Sequence, residues 1–248
     1  MNTPFVSIII PVFNASKTIA RTIEACLSQT YPQEKLEVIV VDDGSTDRTR
    51  EIVTHYPVVL VSQRNSGPAA ARNRGWRASK GEMICFTDAD CIPEKEWISK
   101  LVKKYTSQEI GGVGGSYGIV NCESFLASSI HEEIVERHLK MPSSVDYLGS
   151  FNLSYRREVL EETGGFNETY REASGEDNDL SYRVKKAGYT LLFDPTIVVA
   201  HHHPERLFRY LRQQFKHGYW RVLLYLQHPT MIKGDGYSGV GDLAQPPL

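Results

Sequence analysis

Short apolar runs alternate with helical stretches through the first hundred residues. Val6-Ser-Ile-Ile-Ile10, Glu37-Val-Ile-Val-Val41, Val58-Val-Leu-Val61 and Met83-Ile-Cys-Phe86 are β-rich and nearly apolar on both faces. That pattern predicts buried parallel strands. Between them, Ile19, Ile23, Cys26 and Leu27 fall at helical spacing, with Ser16 placed as the N-cap. A second connector opens with Ser45-Thr46-Asp47, and a third is Ala-rich from Ala69 to Ala78. The alternation predicts an α/β fold: a sheet covered by helices, with ligands gathered at the carboxyl ends of the strands.

Beyond Ile92 the rhythm changes. Pro93 and Glu94 open a predicted short helix containing Trp97, Leu101 and Val102, and Gly111–Gly118 reads as a glycine-rich strand or loop. Ser124–Leu139 reads as an amphipathic helix, Phe151–Tyr155 as a strand, and Arg157–Thr163 as a helix before the Gly164-Gly165-Phe166 turn. Glu176–Ala187 is a further helix closed by Gly188. Thr190–Phe193 and Ile197–Ala200 read as two strands leading into His201-His202-His203. A last amphipathic helix spans roughly Glu205–Leu226, followed by a Gly- and Pro-rich tail read as flexible.

Composition narrows the class. With 248 residues, 41% hydrophobic and 23% charged, the chain can bury a core without disulfides or metals. Its 28 Lys+Arg against 30 Asp+Glu leave a net charge of −2, so no global basic field recruits nucleic acid. The four cysteines show neither a CxxC pair nor zinc spacing, and they suit a reducing, cytoplasmic compartment. The N-terminus lacks a signal-peptide pattern, and no run approaches the roughly 18 apolar residues of a membrane span.

The strand ends carry the candidate chemistry. Pro11-Val-Phe-Asn14, Asp42-Asp43-Gly44-Ser45 and Thr87-Asp88-Ala89-Asp90 each follow a predicted strand, placing four carboxylates in one region. In extended chain Asp88 and Asp90 project to the same side and address one point, a geometry suited to Mg²⁺ or Mn²⁺ on a diphosphate. A polar loop capping the next helix is the plainer alternative. One aspartate of Asp42-Asp43 serves the turn, with Ser45 or Asp43 as helix cap. The other carboxylate is free to accept from a ring N–H such as uracil N3–H, which makes Asp43 the base reader and Phe13 a stacking platform. Glu176 and Asp177 open a helix whose dipole holds a carboxylate ionised, or simply support its first turn. His201 and His203 point the same way from a strand end and can complete a carboxylate-rich metal site, or stand solvated in a loop.

Val41-Asp-Asp-Gly-Ser-Thr-Asp47, Asn65-x-Gly-(x)₄-Arg72-Asn73, Asp88-Ala-Asp90 and Gly175-Glu-Asp177-x-Asp-Leu180 occur in that order. Together they resemble a family 2 glycosyltransferase of the GT-A fold, a Rossmann-like nucleotide-binding half with a mixed, mostly parallel sheet. The resemblance implies inverting transfer from a nucleoside-diphosphate sugar, with UDP the expected nucleotide, to a saccharide or lipid-linked acceptor. It implies a catalytic domain over residues 1–204, with 1–105 the nucleotide-binding half, 106–204 the acceptor half, and 205–248 a helix and tail. Nucleotide contacts would come from Pro11, Phe13, Asn14, Asp43, Arg72, Asp88 and Ala89. Asp90, with Asp88, would hold Mn²⁺ or Mg²⁺, joined by His201 or alternatively His203. Asp177 would be the catalytic base beside Glu176, with Asn152 and Glu176 lining the sugar site.

Two other classes compete. A nucleotidyltransferase making nucleotide sugars needs a Gly-rich loop with Arg and Lys after the first strand, where Pro11-Val-Phe-Asn14 stands. A non-catalytic nucleotide- or sugar-binding module has no need of intact Asp43, Asp88, Asp90 and Asp177. The final helix leaves two readings open. Leu207, Phe208, Leu211, Phe215, Trp220 and Leu223 could dock on the core with Arg209, Arg212 and Lys216 solvated. Alternatively the helix lies on the cytoplasmic membrane face as a peripheral contact.

Overall fold

The computed structural model describes residues 3–172 and 175–229. Of the tail expected to be flexible from His228 onward, residues 230–248 lie outside the described residues, as does the side chain of Leu223.

The first half is a parallel sheet in the order β3-β2-β1-β4: β1 (Val6–Val12), β2 (Leu36–Asp42), β3 (Val59–Ser62) and β4 (Met83–Phe86). Helices α1 (Ile19–Leu27), α2 (Thr49–Val53) and α3 (Pro68–Ala78) connect them. Every residue of β1 is buried. Its side chains alternate between two cores, with Val6, Ile8, Ile10 and Val12 in one and Ile9 in the other, so both faces are covered. β3 departs from the expected burial because it is the sheet's edge, and Val59 is exposed. Ser16 does not cap α1, whose first residue follows Thr18 without any side-chain cap. Neither Ser45 nor Asp43 caps α2; Asp47 Oδ1 accepts the Thr49 N–H there (2.9 Å).

The second half comprises β5 (Cys91–Pro93), α4 (Trp97–Lys103), β6 (Ile110–Ile119), α5 (Phe125–Lys140), β7 (Ser144–Val145), β8 (Leu153–Arg156), α6 (Arg157–Thr163), α7 (Glu176–Lys186), β9 (Thr190–His201) and α8 (Leu207–Gln227). It extends the same sheet as β4-β8-β6-β9-β5, with β7 also on β9. Only β5, β7 and β8 run against the rest, so the sheet is mixed and mostly parallel. Pro93 lies in β5 rather than opening a helix, a position an edge strand tolerates. The two strands expected over residues 190–200 are one continuous β9. Its register against β6 slips between Gly115↔Asp194 and Ser116↔Val198, and this irregularity takes up Pro195. The glycine stretch is β6 itself. A Cβ at Gly115 would overlap the Ile197 carbonyl and stand 2.8 Å from Asn152 Nδ2, so the glycine allows close strand approach.

The reading of α8 as docked through its apolar stripe is overturned. Leu207, Phe208, Leu211 and Phe215 are exposed. The helix instead meets the body through buried Gln214 and Leu224, through Trp220 against Tyr170, and through Gln227, which accepts from the Tyr170 hydroxyl.

Candidate active site

At the carboxyl end of β4 a cavity of about 370 Å³ gathers Arg72, Asp88, Asp90, Glu176, Asp177 and His201. α3 delivers Arg72, which is almost fully buried and donates to Asp88 Oδ1 and to Glu176 Oε1, each at 2.8 Å. One guanidinium therefore ties the Asp88 turn to the start of α7. Burial opposes its charge, but the carboxylates on either side outweigh that and raise its pKa.

Asp88 and Asp90 both reach the cavity, though not as an extended pair. The Cys91 N–H donates to the Asp88 carbonyl (3.1 Å), closing a turn from which both side chains line the cavity. His201 Nε2 lies 3.6 Å from Asp90 Oδ2, while its Nδ1 is buried without a partner. Asp90, Cys91 and His201 offer clustered metal-ligating atoms. Burial pushes the Cys91 thiol well above its usual pKa, so it stays protonated and the usable donors are the carboxylate and the imidazole. A hard carboxylate with a neutral imidazole suits Mn²⁺, and the unpartnered histidine nitrogen is consistent with that fit.

Gly175 opens α7 with φ 89°, the left-handed conformation that favours glycine, and places Glu176 and Asp177 at the cavity wall. Asp177 accepts from the Ser150 N–H (3.2 Å) and its neighbour's Asn178 N–H (2.9 Å). Its pKa is nevertheless raised, with burial the leading cause. Glu176 is raised as well, by burial and then by Asp177, despite its ion pair with Arg72. Desolvation thus works against the helix dipole at this site, and both carboxylates hold a proton more readily than exposed ones do.

Other expected residues stand elsewhere. Pro11 is buried within β1, and Ala89 packs against the core. Phe13 is half exposed and lies outside the cavity lining. Asn14 Oδ1 accepts from the Thr46 and Asp47 N–H groups, tying two strand-end loops together. Asp42 serves the turn, accepting from the Ser45 N–H (3.0 Å). Asp43 is not a free carboxylate: it accepts from Gln63 Nε2 and from the Ser66 and Gly67 N–H groups. Of the roughly four acceptor sites on a carboxylate, one is left. Asn152 does not line the sugar-sized cavity. Its side chain accepts from Trp97 Nε1 and donates to the Ser116 and Ile197 carbonyls, stitching β6, β8 and β9. His203 is buried behind His201, outside the cavity lining, and burial lowers its pKa to about 4.

The sequence reading missed Tyr117, Ser150, Gln213, His217 and Arg221, which also line the cavity. Three of these come from α8, where the Gln213-Gln214-Phe-Lys216-His217 stretch was the available signal.

Residues 7–164 match the Glycosyl transferase family 2 model. The chain is 32% identical to Glycosyltransferase AglE of Haloferax volcanii, over 90% of this chain and 75% of AglE. It is 30% identical to the probable glycosyltransferase YdaM of Bacillus subtilis, over 98% of this chain but only 58% of YdaM. Among solved structures, the mannosyltransferase PcManGT of Pyrobaculum calidifontis, in complex with GDP-Man and Mn²⁺, aligns at TM-score 0.68 and 25% identity. That alignment covers 90% of this chain and 65% of PcManGT. TarS of S. aureus with UDP-GlcNAc shares the fold at TM-score 0.63, with 21% identity over 81% of this chain and 59% of the TarS chain. The mixed sheet and the acidic cavity at its strand ends define a glycosyltransferase of the GT-A type. The chain belongs to glycosyltransferase family 2.

Proposed function

We propose that this glycosyltransferase moves a sugar from a nucleoside-diphosphate donor to an acceptor hydroxyl with inversion, using Asp177 as general base. The observation that carries the reading is the meeting of Asp177 with Asp90 and His201 in one cavity. Inversion requires the acceptor oxygen to attack from the face opposite the leaving group while a base takes its proton. Burial makes Asp177 a stronger base than an exposed aspartate, and the Ser150 and Asn178 N–H groups fix its orientation. Glu176 is occupied by Arg72 through one oxygen. Its other oxygen, buried without a partner, is available to a donor-sugar hydroxyl. Asp90 and His201 would hold a divalent cation, Mn²⁺ by the donor set, which when bound supplies positive charge to the departing diphosphate. Asp88 stays with Arg72 and positions the turn. One remaining acceptor site on Asp43 fits the single N3–H of uracil better than guanine's adjacent N–H pair, so uridine is the proposed base. The acceptor is a saccharide or a lipid-linked saccharide.

Thermal-shift titration with UDP and GDP, with and without Mn²⁺, tests the donor side. Metal-dependent stabilisation, larger for UDP, is expected; indifference to both would sink the reading. For Asp177→Asn, transfer should fall by about 10²–10⁴-fold with nucleotide binding retained.

A further inference from the structure

α8 carries a second surface that the catalytic reading does not use. Leu207, Leu211, Phe215, Tyr219, Val222 and Leu226 recur at steps of four, four, four, three and four residues, and Phe208 lies on the same side. Each of the seven is more than half exposed. At the ordinary rise, 21 residues extend this stripe over about 31 Å. A soluble helix normally turns such a stripe inward. Here the inward side is formed by Gln214, His217, Trp220 and Leu224 instead, and Gln213, His217, Arg221 and Leu224 line the active-site cavity.

Charge identifies the occupant. α8 contains Arg209, Arg212, Lys216 and Arg221 and no Asp or Glu, within a chain whose net charge is −2. Arg209 and Arg212 are exposed on the flank of the apolar stripe, and Lys216 pairs with Glu172 at 3.0 Å. Two copies packed stripe to stripe would bring like-charged flanks together, which disfavours self-association. The helix is not a span: no helix among the described residues is long and apolar enough to cross a membrane. A bulky apolar face with a basic border suits a helix lying in the headgroup region of an anionic bilayer.

We propose that α8 docks flat on an anionic membrane surface through this stripe. The opposite side of the same helix walls the cavity, so docking would hold the proposed transfer site within about one helix diameter, roughly 10–12 Å, of the headgroups. The proposal goes beyond the transfer chemistry and does not depend on it.

Pelleting the full chain with phosphatidylglycerol–phosphatidylcholine vesicles, and with phosphatidylcholine alone, tests it without donor or acceptor. Binding to the anionic vesicles is expected, at least tenfold stronger than to the neutral ones and weakened at about 0.5 M salt, where the Debye length falls below about 8 Å. Leu211→Glu with Phe215→Glu should abolish pelleting, and Arg209→Glu with Arg212→Glu should reduce it at least tenfold. Both doubles should keep the wild-type melting temperature, since all four side chains are exposed. Light scattering on the same samples should show a monomer. No pelleting by the wild type, pelleting unchanged by both doubles, or a dimer broken by the Leu211 and Phe215 changes would each overturn the proposal. Nucleotide-dependent thermal shifts, read separately, would be untouched by that failure.

Discussion

Asp177 gains basicity from the apolar side of its environment and orientation from the polar side. Its burial raises the pKa, while two backbone N–H groups and the nearby Arg72 pull it back without cancelling the rise. Because the proposed base must be deprotonated, kcat/KM should fall about tenfold per pH unit below a midpoint above the ordinary aspartate range. A limb centred at or below that range would remove Asp177 from the role. Asn152 makes a contrasting case, since all its hydrogen bonds are internal. Asn152→Ala should destabilise the fold by about 2–3 kcal/mol, seen as a lower urea midpoint, with donor affinity preserved. The acids were legible because each sits in a contiguous motif at a strand or helix end. Tyr117, Ser150 and Arg221 were not, because only the tertiary fold brings them to the cavity. The occupancy of Asp43 was hidden for the same reason: its three donors lie 20–24 residues away.

At the scale of elements, β6 and β9 shape the cavity floor by close approach. Gly115 faces the Ile197 carbonyl beside the register slip that accommodates Pro195. Gly115→Ala should therefore cost about 1–3 kcal/mol, since backbone rather than a flexible side chain must yield. An unchanged urea midpoint would mean the two strands have slack. Strand and helix positions were mostly readable from periodicity, because buried parallel strands and helix turns leave different rhythms. The exceptions follow from location: edge strands expose Val59 and admit Pro93, and an irregular register carries β9 through Pro195. For α8, periodicity placed Leu207, Phe208, Leu211 and Phe215 on one stripe but wrongly added Trp220, which packs on Tyr170 on the inward side. It carried no information on what covers that stripe.

Across the whole molecule, the core does not depend on the proposed metal site. Asp90 and His201 sit at the cavity, while the two apolar cores flank the sheet. Chelation should abolish stabilisation by a nucleoside diphosphate and leave the melting temperature of the free chain unchanged. A large drop in the free chain would assign the cation a structural role. In the parallel order β3-β2-β1-β4, β1–β2 and β2–β3 are sheet neighbours joined by short helical crossovers, while the connection from β3 to β4 passes across β2 and β1. The order β4-β8-β6-β9 was not legible, since these pairings join segments far apart in sequence.

That central placement of β8 has a consequence during synthesis. The buried strand Met83–Phe86 finds its second neighbour only when Leu153–Arg156 emerges, and β6 can join the sheet only beside that same strand. About 70 residues of chain separate the two, so at ribosomal speeds of about 5–20 residues per second the β4 edge stays open for several seconds. An apolar strand with an unpaired edge is a template for association with other chains. Nascent chains halted before Leu153 should accordingly be the aggregation-prone species, and those halted beyond β9 should not.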